Sequence, residues 1–165
     1  MTDVMPTMIK QSASYELRKL LYETLIADPT LTTRIYSDER RNDVTAHVYD
    51  TVPPKVKPPY VMIGKAAIKV DTTYQSKDGF IDLYMLEIDC FTHYGGKADV
   101  AQLQNDAMAA LYTAWAIGDV QFEESSSFRV GSFEIGVRGE DISVWGPKER
   151  EHNVMTCNIR TIQIV

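Results

Sequence analysis

The chain has few of the residues that build metal sites, disulfide frameworks or nucleic-acid-binding surfaces. Its 165 residues include two cysteines and three histidines, and 17 basic residues stand against 23 acidic ones, for a net charge of -6. Cys90 and Cys157 lie far apart and cannot form a structural zinc site alone, so we expect buried free thiols. An acidic protein repels a phosphate backbone, which disfavours a DNA-reading role.

Long apolar runs are also missing. No stretch is long and apolar enough to span a bilayer, and the N-terminal sequence carries Asp3 where a secretory signal would be basic. We therefore expect no membrane partner, and synthesis in the cytoplasm. An apolar fraction of 44% is ordinary for a globular chain. We expect a flexible N-terminal arm over residues 1–11 and a single α+β domain over residues 12–165.

The most regular stretch is a strand, a glycine hinge and a helix. Alternation over Phe80 to Thr92 predicts a strand with one apolar face. The other face carries Ile81, Leu83 and Met85, followed by Glu87 and Asp89. After Gly95 and Gly96, apolar residues at helical spacing predict a helix over Lys97 to Trp115. This helix can lie on the sheet to which the strand belongs.

Two further segments precede this stretch. Apolar residues at helical spacing predict a helix that starts after an N-cap at Ser12 and is closed by Asp28 and Pro29. A Pro-rich segment over residues 52–59 leads into a short strand from Tyr60 to Gly64, and Ala66, Ile68 and Val70 continue a period of two. The polar segment Asp71 to Gly79 ends in Asp-Gly and predicts a hairpin that projects from the body.

The C-terminal third has the pattern of a meander of antiparallel strands. Phe128 and Val130 share one face with Phe133 only if a bulge falls near Gly131. A second change of parity, before Ile162, is predicted in the last strand. The fold class expected is therefore α+β, with a mostly antiparallel twisted sheet packed by two main helices and a projecting β-hairpin.

The search for chemistry gives one candidate pair. Glu87 and Asp89 share a strand face at about 7 Å, which suits an acid and a base or a metal site. The sequence places no histidine or third acid beside them. Cys90 and His93 are three apart on a strand and so point to opposite faces. We therefore expect no catalytic, cofactor or metal site, and no enzyme.

The first helix and the central strand have more apolar surface than one helix–sheet contact can bury. Tyr15, Tyr22 and Ile26 widen the apolar arc of the first helix, and the central strand is apolar on both faces in its first half. Either helices cover both faces of the sheet within one chain, or a second subunit covers one of them. The pattern alone leaves both arrangements open.

One segment carries a family resemblance. The run from His47 to Gly64 passes from a short strand through a Pro-rich stretch into a Pro-Tyr-Val strand that ends in glycine. It resembles the hallmark segment of the tail-terminator, or tail-completion, proteins of long-tailed bacteriophages. The helix before it, the long strand with its Gly-Gly hinge and helix after it, and the closing strand from Met155 to Val165 fit the same order.

The resemblance implies a structural virion protein. Members form a hexameric ring that caps the finished tail tube, ends its polymerisation and joins the tail to the head connector. The implied partners are further copies of the chain, the tail tube protein and a connector or stopper protein, with DNA passing through the lumen without specific binding. The implied location is the neck region of the tail, after assembly in the host cytoplasm. Another neck or head-completion protein and a small hydrolase using Glu87 and Asp89 are the alternatives.

Two sets of contact residues follow from this interpretation. Surplus apolar strand surface suits a ring of repeated contacts, so Ile81, Leu83 and Met85 are predicted at a subunit interface. The projecting hairpin is predicted to contact the tube through Thr72, Thr73, Tyr74 and Asp78.

Overall fold

The computed structural model describes residues 11–37, 43–70, 79–92, 96–139 and 151–164. Over these residues the chain forms three helices and seven strands, in the order α1 (Ser14–Ala27), α2 (Pro29–Thr33), β1 (Ile35–Ser37), β2 (Asp43–Thr45), β3 (His47–Tyr49), β4 (Tyr60–Val70), β5 (Gly79–Thr92), α3 (Gly96–Ala116), β6 (Phe128–Gly139) and β7 (Glu151–Ile164). The strand and helix predicted between residues 80 and 115 are confirmed as β5 and α3.

The strands form a five-stranded sheet in the order β3-β4-β5-β7-β6, with β1 and β2 as a separate antiparallel pair. Strands β3 and β4 are parallel, and the other neighbours in the large sheet are antiparallel. The α+β class with a mostly antiparallel sheet is confirmed. β4 and β5 pair antiparallel up to Val70 and Asp82, as expected for the two arms of a hairpin. The tip, residues 71–78, lies outside the described residues.

Both main helices pack on the same face of the sheet. The core joins leucines of α1 and α3 to the face of β5 that was predicted to be apolar: Leu17, Leu21, Leu25, Leu103, Leu111, Tyr84, Leu86, Ile88 and Cys90. Each of these side chains is at most 1% exposed. Burying one leucine side chain contributes about 1.5–3 kcal/mol. No helix in the described part of the chain packs on the opposite face, so the arrangement with helices on both faces is not the one found there.

The start of α1 differs from the prediction, whereas its end at Asp28 is confirmed. Ala13 is the N-cap residue and its side chain makes no cap hydrogen bond. Ser12 instead accepts a hydrogen bond from the Ser14 N–H at 3.2 Å, and the Ala13 N–H donates to the Tyr84 hydroxyl at 2.8 Å. At the other end Asp28 closes α1 and caps α2, since its carboxylate accepts from the Leu31 N–H at 2.8 Å. The sequence pattern gave no sign of α2.

The bulge predicted near Gly131 is confirmed. The register with β7 shifts between Val130 and Ser132, which places Val130 and Phe133 on the buried face together. The parity change predicted in β7 is wrong, because the burial pattern alternates without a break to the end of the strand. The core-facing position near that end belongs to Gln163, whose side-chain oxygen accepts a hydrogen bond from the Gln11 N–H at 2.8 Å. A polar side chain can be buried there because it is hydrogen-bonded.

None of the helices described is both long and apolar enough to cross a bilayer. Both cysteines are buried free thiols, as expected.

Candidate functional site

The sheet face opposite the helices has an apolar half near the β4–β5 hairpin. The register places Lys69, Leu83 and Arg160 side by side across β4, β5 and β7. The rows on either side pair Ile81 with Ile162 and Met85 with Ala67. We call this the open-face patch, made of Ala67, Lys69, Ile81, Leu83, Met85, Arg160, Ile162 and Ile164.

The predicted interface residues Ile81, Leu83 and Met85 all lie in this patch and are half-buried. Cross-strand neighbours cover them in part, since side chains on one sheet face lie about 5 Å apart. The predicted tube-contact residues Thr72, Thr73, Tyr74 and Asp78 lie outside the described residues.

A second exposed apolar surface lies on α1. Tyr15, Lys19, Tyr22 and Ile26 lie along one side of the helix, and Tyr15 is 78% exposed. We call these four residues the α1 stripe. On one side it borders a groove with Val48, Tyr49 and Asp50. On the other side it borders a groove that contains the carboxylates Glu16, Glu23 and Glu123. The wide arc predicted for this helix is therefore not covered within the described part of the chain.

Arg18 fixes α1 against the edge of the sheet. Strand β3 pairs with β4 only as far as Met62, so the following carbonyl groups of β4 have no strand partner on that side. The Arg18 guanidinium donates to the carbonyl oxygens of Ile63 at 3.2 Å and Gly64 at 2.5 Å, and to Asp50 at 2.9 Å. Since unpaired backbone groups are costly to bury, Arg18 completes the edge where β3 ends.

The polar half of the open face contains a histidine that the sequence interpretation missed. His152 Nε2 and Asp89 Oδ1 lie 2.7 Å apart, and the imidazole stacks on Phe91 with ring centroids 4.2 Å apart. The expectation that no histidine joins the carboxylate pair is therefore wrong. The antiparallel register of β5 and β7 sets Phe91 opposite His152, and that register is a long-range property that no local pattern reveals.

This cluster has the character of a structural contact. Of the two candidate carboxylates it is Asp89, only 6% exposed, that contacts His152. Among the residues described, no group of three His, Cys, Asp or Glu side chains is arranged to hold a metal ion. The Asp89–His152 contact joins β5 to β7 at the end of the sheet where the Pro-rich segment enters β4.

A second buried carboxylate ties β1 to α3. Asp106 accepts hydrogen bonds from the Tyr36 hydroxyl and from Gln102 Nε2, and Arg34 Nε lies 2.6 Å from it. Burial and the bond to Asp106 raise the pKa of Tyr36 above its usual range. Asp106 is 5% exposed, so this group belongs to the packing of the helix rather than to a surface site.

The thiols are unsuited to nucleophilic chemistry. Burial raises the pKa of Cys157 to about 12, and burial followed by the charge of Asp89 raises that of Cys90 above its usual range. The thiolate is the reactive form of cysteine, and neither residue forms it near neutral pH. Exposed apolar side chains lie on the open-face patch and on the α1 stripe.

A fold of this kind, with two exposed apolar surfaces, defines a protein that works by contact with other proteins. A family model described as tail completion protein gp17 matches residues 19–132, and the chain belongs to that family. Membership gives it a structural role in a phage tail.

Solved structures support the fold. Eight chains match, one of them from a structure titled "Virion of native gene transfer agent (GTA) particle". That chain is similar to this one with a TM-score of 0.54 and 20% identity, over 94% of this chain and 100% of its own length. A search of curated proteins gave no match.

Proposed function

We propose that this protein is a tail terminator. Copies of the chain, six as the resemblance implies, form a ring that caps the finished tail tube, ends its polymerisation and then meets the head connector. Family membership supports the tail role. The observation that carries the ring is the open-face patch, where Ile81, Leu83 and Met85 lie along β5 on a face on which no described helix packs.

The geometry suits a subunit interface. Ile81, Leu83 and Met85 are half-buried by their neighbours and keep the rest of their apolar surface in contact with water, so burial of that surface against a second chain favours association. A ring repeats one heterologous contact, in which a patch on each subunit meets a different patch on the next. If the three residues lie in that contact, the interface explains why one half of this sheet face is apolar while the other half is polar.

Termination works by differential binding and needs no catalysis. One face of the ring matches the growing end of the tube, and the opposite face does not match another tube subunit, so growth stops. The hairpin residues Thr72, Thr73, Tyr74 and Asp78 are proposed to contact the tube. An acidic chain with a net charge of -6 suits a lumen through which DNA slides without specific binding.

The test is a direct observation of assembly. We would record the mass of the purified protein by native mass spectrometry and its shape by negative-stain microscopy, alone and after mixing with tail tubes or with head connectors. A ring, or a cap at one end of the tubes, is the expected result. A compact monomer that ignores tubes and connectors contradicts the proposal. Binding to connectors but not to tubes indicates a different neck or head-completion role.

A further inference from the structure

A ring needs two complementary surfaces on every subunit, and the proposed function places only one of them. In a heterologous contact the patch on one copy meets a different patch on the next, so the open-face patch requires a partner elsewhere on the same chain. The α1 stripe is an exposed apolar surface on the other side of the two-layer structure, since α1 packs its leucines against the opposite sheet face.

We infer that the α1 stripe of one subunit docks on the open-face patch of its neighbour. This inference rests on the proposed ring and names the second half of its repeated contact. Tyr15 and Tyr22 supply large, amphipathic side chains of the kind enriched at protein interfaces. Leu83, with its apolar neighbours Ile81 and Met85, supplies the surface that receives them.

The charges around the two surfaces are of opposite sign. On the open face, Leu83 lies between Lys69 and Arg160, and its row contains no acidic residue. Beside the α1 stripe, one groove contains Glu16, Glu23 and Glu123 around Lys19, and in the other groove Arg18 is paired with Asp50, so carboxylates outnumber cations. Cations that frame one apolar patch and carboxylates that frame the other fix the orientation of docking.

Among the described residues, the two charges chosen for the test, Glu23 and Lys69, have no strong competing partner. Glu23 contacts Lys19 at 3.8 Å, with the two side chains 57% and 53% exposed. An exposed pair at this spacing on a helix surface is weak, so it does not hold Glu23 away from a neighbour. Lys69 is exposed at the margin of the sheet. Both residues are therefore accessible in the single subunit.

A charge exchange tests the contact. Lys69→Glu and Glu23→Lys each set like charges against each other at every interface, and each variant alone is expected to lose self-association by about tenfold or more. Mixed in equal amounts, the two variants restore opposite charges at every interface of a ring in which they alternate. The mixture is therefore expected to recover rings, measured by native mass spectrometry and by cap formation on tail tubes.

The controls separate this inference from the proposed function. Lys97→Glu, an exposed reversal on α3, should assemble like the unsubstituted chain, and circular dichroism should show that every variant is folded. If the unsubstituted protein forms rings and both single reversals do so equally well, this docking is wrong while the terminator role stands. Failure of the mixture to recover rings that each variant lost also overturns it. If the unsubstituted protein forms no ring with or without tubes, the proposed function itself fails.

Discussion

Gly64 lies directly beneath the carboxylate of Asp89: a Cβ atom at this position would be 2.3 Å from Asp89 Oδ2. The same carboxylate contacts His152, which stacks on Phe91. Gly64 was predicted to end a short strand, but it lies inside β4, where a glycine is needed for space. It lets a side chain of β5 lie against the backbone of β4.

Gly64→Ala is expected to destabilise the fold by about 1–3 kcal/mol, because the added methyl group displaces Asp89 from His152. Urea unfolding of the purified protein measures this cost. The matched control is the same substitution in an Asp89→Ala background, where the clash is gone and the added cost should largely vanish. Equal costs in the two backgrounds would show that the close approach does not matter.

Short sequence patterns predicted those parts of the fold that depend on residues close together in the sequence. Alternation and helical spacing identified β5 and α3, and the change of parity around Gly131 located a bulge, because these signals lie within a few residues of one another. Long-range register is different. His152 beside Asp89 depends on how β7 pairs with β5, across 63 positions of sequence.

The apolar pattern gave the wrong parity at the end of β7, because a buried position there is filled by a hydrogen-bonded polar side chain. A change of parity was predicted before Ile162, yet the alternation continues, so that Ile162 lies on the open face and its neighbour Gln163 is buried. The bond from the Gln11 N–H satisfies that side chain, and nothing in the strand pattern announces it. The predicted interface residues lie together on one face because strand parity alone determines that.

The buried thiols make stability fall at alkaline pH. The pKa of Cys157 rises from its ordinary value of 9.0 to about 12 in the folded chain, so above pH 9 the unfolded state loses a proton that the folded state keeps. Stability from this source is complete below pH 9 and decreases as the pH rises towards 12, by at most about 1.4 kcal/mol per pH unit for each thiol. Cys90 shifts in the same direction.

Urea unfolding at a series of pH values from 7 to 11 measures this slope. A Cys90→Ala, Cys157→Ala double variant should be less stable overall but should lose less stability between pH 9 and 11. Disulfide reagents should leave both thiols unmodified at pH 8 until the chain unfolds, because both are buried. Rapid modification of the folded protein would contradict the assigned burial.

Asp106→Asn is expected to cost about 1–3 kcal/mol, since Arg34 and Gln102 lose a charged acceptor that is buried. Tyr36→Phe removes one hydrogen bond from the same carboxylate and should cost less, about 1 kcal/mol. Thermal unfolding measures both. Asp119→Asn, at an exposed carboxylate after α3, is the matched control and should leave the midpoint unchanged. Equal stability of Asp106→Asn and the unsubstituted chain would contradict a role for this group in holding α3.

Leu83→Asp tests the subunit interface most directly. In the single chain the new carboxylate lies between Lys69 and Arg160 on a face that no described helix covers, so folding should be retained. In a ring the same carboxylate would be buried against a neighbour, and an incompletely paired buried charge is strongly unfavourable. The expected result is a folded monomer, judged by circular dichroism and native mass spectrometry, that neither forms rings nor caps tail tubes.

Ile117→Asp, at an isoleucine that is 67% exposed after α3, is the matched control and should assemble normally. Rings and caps of normal yield from Leu83→Asp would show that this face is not between subunits, and the terminator would then need a different contact to close its ring.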